Sequence, residues 1–289
     1  MITKRLRKSP FVRLFNKTPE EVVCPHFYEL ILSNGCPYNC SYCYLKLTFR
    51  GKSSPTLFTN DWPRVKAELD ATPSGVFSTG ELADSLAIVP PLLPHALDYF
   101  GYQEERFLLL TSKSDNIGIL RNRTPSSNII LSFSINSIAI AKKYERGAPD
   151  PIRRLEAADE LRRRGWRVRI RLDPIILEEG FESYKEICSM IDHIKPEMVT
   201  LGSLRQYIGL FNYAPDAPRQ GLLLSPDRRM RYPLEVRKRI YSQMADWLGF
   251  QPSLCKETRS LWNVMDWKFE GCNCTLNGTP TDIVGMGND

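Results

Sequence analysis

The chain has 289 residues, 42% hydrophobic and 25% charged, with a net charge of +6. This is the make-up of a soluble protein that can bury a real core. No run approaches the roughly 18 apolar residues of a membrane span, and the N-terminus lacks an apolar signal core. A cytoplasmic location with no membrane association is expected.

A basic, proline-punctuated arm (1–24) opens the chain, carrying Lys4, Arg5, Arg7 and Lys8. Strands and helices then alternate. FYELILS (27–33) reads as a buried strand, followed by a helix near 61–71, strand GVFST (75–79), helix LPHALDYFG and strand FLLLTS (107–112). A helix near 115–122, strand NIILSFSIN (128–136), helix 151–164, strand RVRIRLDPII (167–176), helix 181–194 and strand MVTLGSL (198–204) complete the series. Six strands with helices between them fit a partial (β/α)6 TIM-like barrel over 25–205. The rhythm stops there, and 206–289 reads as a loop-rich, Cys-containing C-terminal extension with one helix (233–248).

Basic residues gather at 153–171 and 228–239, which suits a phosphate-bearing or acidic partner. In PIRRLEAADELRRRG, however, Ile152, Leu155, Ala158 and Leu161 fall at helical spacing, so the charges are expected on a solvated face.

On such a barrel, chemistry collects at the C-terminal ends of the strands. Ser78, Thr79, Gly80 and Glu81 follow the second strand, Lys113 the third, and Ser134 and Asn136 the fourth, while Arg171 and Asp173 end the fifth. After the first strand comes CPYNCSYCY, with Cys36, Cys40 and Cys43 in CxxxCxxC spacing. Eight cysteines in a cytosolic chain speak for metal ligation or catalysis over a disulfide framework. A zinc ribbon wants paired CxxC knuckles. Three thiolates on a tight loop can instead hold three corners of a [4Fe–4S] cube and leave one iron open to the amino and carboxylate groups of S-adenosylmethionine (SAM). Structural or zinc thiolates are the other reading.

CPYNCSYCY resembles the signature of the radical SAM superfamily. SFSINS (132–137), YERGAP (144–149), RRLEAADELRRRGW, RLDPII, YCYL and TSKSDNI (111–117) are similar to its spore photoproduct lyase branch. The resemblance implies a SAM-cleaving radical enzyme that takes a hydrogen atom from its substrate, with a one-electron donor of flavodoxin or ferredoxin type as partner. By position it gives Thr79, Gly80 and Glu81 to the SAM amino group, Lys113 to its carboxylate, and Ser134 and Asn136 to the ribose side. Arg171 at the same mouth is a further cofactor-binding candidate. Tyr42 and Tyr44 match the tyrosines of the lyase's hydrogen relay, with packing around the cluster as their alternative role. The relay's cysteine is not matched, because Ser78 stands in its place and a serine O–H is too strong a bond to give up its hydrogen.

Cys255, Cys272 and Cys274 lie in a tail that closes little core alone, and metal would supply its folding free energy. They are expected to ligate a second Fe–S cluster; zinc, burial or hydrogen donation are the alternatives. Cys24 precedes the first strand and is expected at the opposite face, away from these three. Cys188 falls on an apolar helix stripe and is expected in the core. The substrate is expected to be a nucleic-acid base; a peptide, a small molecule and a non-enzymatic, metal-stapled nucleic-acid-binding protein are the other readings.

Overall fold

The computed structural model describes residues 2–178, 180–276 and 283–284. Six parallel strands run in sequence order through one sheet: Phe27–Leu30, Gly75–Ser78, Arg106–Ser112, Ile129–Ile135, Arg167–Ile175 and Met198–Ser203, here called the first to sixth. The sheet is a partial barrel. Its outer face is coated by helices, and Leu108, Leu110, Leu131, Phe133, Val168, Ile170, Val199 and Leu201 are buried beneath them. The period-2 alternation leaves Thr111, Ser132, Ser134, Arg169, Arg171 and Thr200 on the inner face.

Local chemistry sets the helix ends. Asp150 caps helix Pro151–Arg163 by accepting from the Ile152 N–H at 2.8 Å, with proline in its first turn. Ser137 caps Ile138–Tyr144 in the same way. Gly249 (φ 74°) ends Leu234–Leu248 in the left-handed conformation that suits glycine.

The segment expected as an arm is woven in. Val12–Phe15 pairs antiparallel with the first barrel strand, and Thr3–Arg5 pairs with Thr56–Phe58. Within the expected extension, Ser253–Leu254 adds to the sixth strand and Glu257–Thr258 pairs with Val22–Val23. Arg205–Tyr207, Leu223–Leu224 and Arg229–Arg231 form a small antiparallel sheet. Residues 277–282 and 285–289 of the extension lie outside the described residues. Among the described residues no helix is long and apolar enough to cross a membrane.

The Arg-rich helix differs from expectation at one residue. Arg154 is fully buried and paired with Glu145 at 2.6 Å, while its neighbour Arg153 faces outward and pairs with Asp115. Its placement answers to a buried carboxylate on another element, which apolar periodicity cannot reveal.

Candidate active site at the barrel mouth

The three-cysteine loop leaves the first strand and is tied down on both flanks. Gly35 donates its N–H to Leu82 O and Cys36 donates to Ser53 O, both at 2.8 Å. Gly35 has φ +76°, and a Cβ there would stand 2.4 Å from Ser54 O, so only glycine fits. Asn39–Cys40 pairs antiparallel with Glu145–Arg146, and the Ser41 N–H bonds Tyr144 O. Cys36, Cys40 and Cys43 lie within one another's fields. Burial and the nearby Glu145 carboxylate push the Cys40 thiol up to about 12, with Lys113 opposing them. Among the described residues, no group of three or more Cys, His, Asp or Glu is drawn in to the spacing of a single metal ion. A four-iron cube spaces its ligands around a larger body than one ion does, and three thiolates on one loop suit it.

Glu145, which the sequence reading did not single out, is the hub of the mouth. Its side chain is fully buried and its carboxylate accepts from the Tyr42 hydroxyl. It also pairs with Lys113 at 3.5 Å and Arg154 at 2.6 Å and accepts from Asn136 Nδ2 at 3.3 Å. Burial alone would raise its pKa, but the two cations and the hydrogen bonds overcome this and hold it at about 2. It lies within YERGAP, so the run used for the resemblance contained the signal, unread.

Asn136, expected on the ribose side, is tied into the protein by its own hydrogen bonds. It is fully buried, its carbonyl oxygen accepts from Tyr184 at 2.6 Å, and its amide also donates to Pro174 O at 3.1 Å. With its polar atoms engaged inside the protein, it positions Glu145. Ser134, the register partner of Arg171, is 7% exposed on the inner face.

After the second strand, Thr79 Oγ1 meets Ser85 Oγ at 2.7 Å and the Gly80 N–H bonds Ser78 Oγ at 3.3 Å. A Cβ on Gly80 would press to 2.6 Å from the Thr111 side chain. The Glu81 carbonyl accepts from the Tyr44 hydroxyl, so the cysteine loop and the segment expected to hold the SAM amine share a direct bond. Asp84, also missed, braces the neighbouring turn. Its Oδ2 accepts from the Lys113 N–H at 2.7 Å and its Oδ1 from Ser112, Leu86 and Ala87.

Arg171 stands on the far side of the mouth. It bonds Asp173 at 2.5 Å and Cys255 Sγ at 3.6 Å, and Arg205 bonds the same carboxylate at 2.9 and 3.0 Å and the same sulfur at 3.4 Å. Burial raises and the two arginines lower the Asp173 pKa, with the arginines prevailing. Cys188 is core, 0% exposed with its sulfur 3.9 Å from Met244 Sδ.

A partial (β/α)6 barrel with three loop thiols beside its first strand and polar groups converging on one mouth defines the class of this protein. Residues 24–204 match the family described as spore photoproduct lyase, and the chain belongs to that family. It is similar to the spore photoproduct lyase of Bacillus subtilis (strain 168), 24% identical over 184 residues that cover 60% of this chain and 53% of that one. The chain thus spans about half the length of the curated relatives it matches. Its fold is also that of a solved spore photoproduct lyase mutant with bound AdoMet and dinucleoside spore photoproduct (TM-score 0.71, 19% identity, 88% of this chain and 80% of that one). Streptococcus suis SuiB bound to precursor peptide SuiA is a more distant likeness (TM-score 0.54, 15% identity, 82% and 49%).

Proposed function

We propose that this chain is a radical SAM enzyme. Cys36, Cys40 and Cys43 would hold a [4Fe–4S] cluster, and the mouth formed by Thr79–Glu81, Lys113, Ser134 and Arg171 would hold SAM. The observation that carries the reading is the Glu145 hub, which locks the cysteine loop through Tyr42 and Cys40 to the lysine expected to face the SAM carboxylate. When bound, cluster and SAM supply one-electron cleavage of a sulfonium and a carbon radical able to take a hydrogen atom.

The residues of the chain bind, orient and enclose. Lys113, braced by Asp84 and leaning on Glu145, presents a cation at a largely buried position where a carboxylate gains from it. Tyr42 and Tyr44 each donate a hydrogen bond that ties the cysteine loop to a neighbouring turn. Burial and Glu145 keep the Tyr42 phenol protonated. Ser78 is buried with its oxygen engaged by Gly80, so a hydrogen atom returned to a product would come from another group.

The substrate we favour is a nucleic-acid base, in keeping with the lesion bound by the solved relative and with the net charge of +6. The electron would come from a flavodoxin- or ferredoxin-type donor. A second Fe–S centre on the tail cysteines belongs to the same reading. The test is 5′-deoxyadenosine formation by the anaerobically reconstituted protein under reduction, first alone and then with dinucleoside spore photoproduct. Wild type should form it and C40A should not; equal formation by C40A refutes the cluster assignment.

A further inference from the structure

The tail enters the barrel from its N-terminal end. Cys274 and Leu276 pack on Phe27, Val76, Leu109 and Ile130, which line the N-terminal part of the barrel. Arg169, fully buried, grips the loop by donating to the carbonyls of Cys272 (3.3 Å), Asn273 (2.8 Å) and Thr275 (2.7 Å). Ser132 donates to Asn273 Oδ1 at 2.6 Å. Cys255 reaches the same lumen from the edge of the sixth strand, its N–H bonded to Leu201 O at 2.7 Å.

This overturns the expected separation of Cys24 from the tail. Cys24 does sit at the N-terminal end of the barrel, and the tail comes to meet it there. Strand Val22–Pro25 pairs with Glu257–Thr258, directly after Cys255, and with the backbone of Ile283–Val284. Cys24 lies in the field of Cys255 and Cys274, and Cys274 lies beside Cys272. Four thiols from three segments therefore gather inside one barrel.

Their surroundings call for a ligand. Asn273 Nδ2, Arg169 Nε and Thr200 Oγ1 belong to residues no more than 1% exposed and have no hydrogen-bond partner. A buried polar group left without a partner is destabilising. Thr200 faces the lumen beside Arg171, its register partner, and Asn273 sits between two of the cysteines. Arg171 and Arg205 already aim N–H groups at Cys255 Sγ. Lys256 stacks over Phe15 at 4.4 Å and lies in the field of Cys24, Cys255 and Glu81. A ring of cations and sulfur-directed donors fits a thiolate-bound, negatively charged cluster, whose sulfurs accept such bonds.

We propose that Cys24, Cys255, Cys272 and Cys274 ligate a second iron–sulfur cluster in the barrel lumen, beneath the SAM mouth. The proposal deepens the radical SAM reading by giving its second centre a place and a fourth ligand, but its ligands are separate from the loop cysteines.

The test is iron, zinc and acid-labile sulfide per chain, with electron paramagnetic resonance after reduction. It uses reconstituted wild type, the loop variant C36A/C40A/C43A, and that variant with C24A added. About eight irons in wild type and about four in the loop variant, with C24A changing the signal and lowering the iron, are expected. A loop variant with no iron overturns the proposal, and four irons in wild type would then still support the loop cluster. Four irons in both proteins would instead uphold the lumen site and refute the loop assignment. Stoichiometric zinc in the loop variant overturns the iron–sulfur assignment, and an unchanged signal on adding C24A removes Cys24 from the ligand set. The loop variant keeps every lumen cysteine, so the result does not depend on folding of a tail mutant.

Discussion

Tyr42 donates its phenolic hydrogen bond to Glu145, a residue 103 positions further along the chain, and so joins the cysteine loop to the turn after the fourth barrel unit. The same carboxylate neutralises two cations, one of them Arg154 with no exposure at all. Removing the carboxylate by E145A should cost about 3–5 kcal/mol, because a buried guanidinium would be left without its partner. Urea unfolding of the cofactor-free protein measures it, and a loss below about 1 kcal/mol would show the pair to be dispensable.

The pH dependence follows in sign. The folded-state pKa of Glu145 is depressed to about 2, against roughly 4.3 for a free glutamate. Its stabilisation is therefore fully present above about pH 4.3 and is lost as pH falls from there towards 2. Between pH 6 and pH 3 the cofactor-free wild type should lose more stability than E145Q. Parallel losses would mean that other carboxylates carry the acid sensitivity.

Lys113→Ala should weaken SAM binding about tenfold or more while leaving the iron content of the loop cluster in place. Calorimetric titration with SAM on reconstituted protein distinguishes the two. Unchanged affinity would confine Lys113 to supporting Glu145.

At Gly35 the backbone leaves no room for a Cβ. G35A should preserve the far-ultraviolet circular dichroism of the barrel but reduce iron bound by the loop by half or more, since the strained turn carries Cys36. Full loading would show that the loop adapts.

Tyr44, 40% exposed, meets only a carbonyl, whereas buried Tyr42 meets a carboxylate. Y42F should therefore lower stability by about 1–2 kcal/mol and Y44F by less. If the tyrosines relay hydrogen, both should retain 5′-deoxyadenosine formation while losing product. Full product yield from Y44F would leave that residue a packing role.

Affinity for duplex DNA should fall with a log–log salt slope of about −0.9 for each phosphate contact. A flat salt response would point the search to peptides or small molecules.

The barrel was readable because each of its units carries its own signal. LPHALDYFG is helical over Leu93–Gly101 as expected, and the strands agree to within a residue or three. The mouth was readable where its residues follow strands directly, as Glu81 and Lys113 do. What escaped was chemistry made by distant partners. Glu145 matters because Tyr42, Lys113 and Arg154 converge on it, and none of these is fixed by local pattern. Asn136 suits a ribose contact by type and place, and its bonds to Tyr184 and Pro174 come from elements that local pattern does not link to it. Cys24 was set apart from the other tail thiols by strand direction, an argument sound for a tail at the mouth and void for one that enters from below.

Arg169 holds the carbonyl of Thr275 across 106 positions, and Ser132 holds Asn273 across 141. During synthesis the strands therefore emerge long before the segment that fills them. Until residues 272–276 leave the ribosome, the nascent chain carries a guanidinium and an open apolar floor with nothing seated on them. Such late, long-range closure slows folding and leaves time for wrong associations. Thiol capture at the floor would then have to wait for a segment made long after the strands that enclose it.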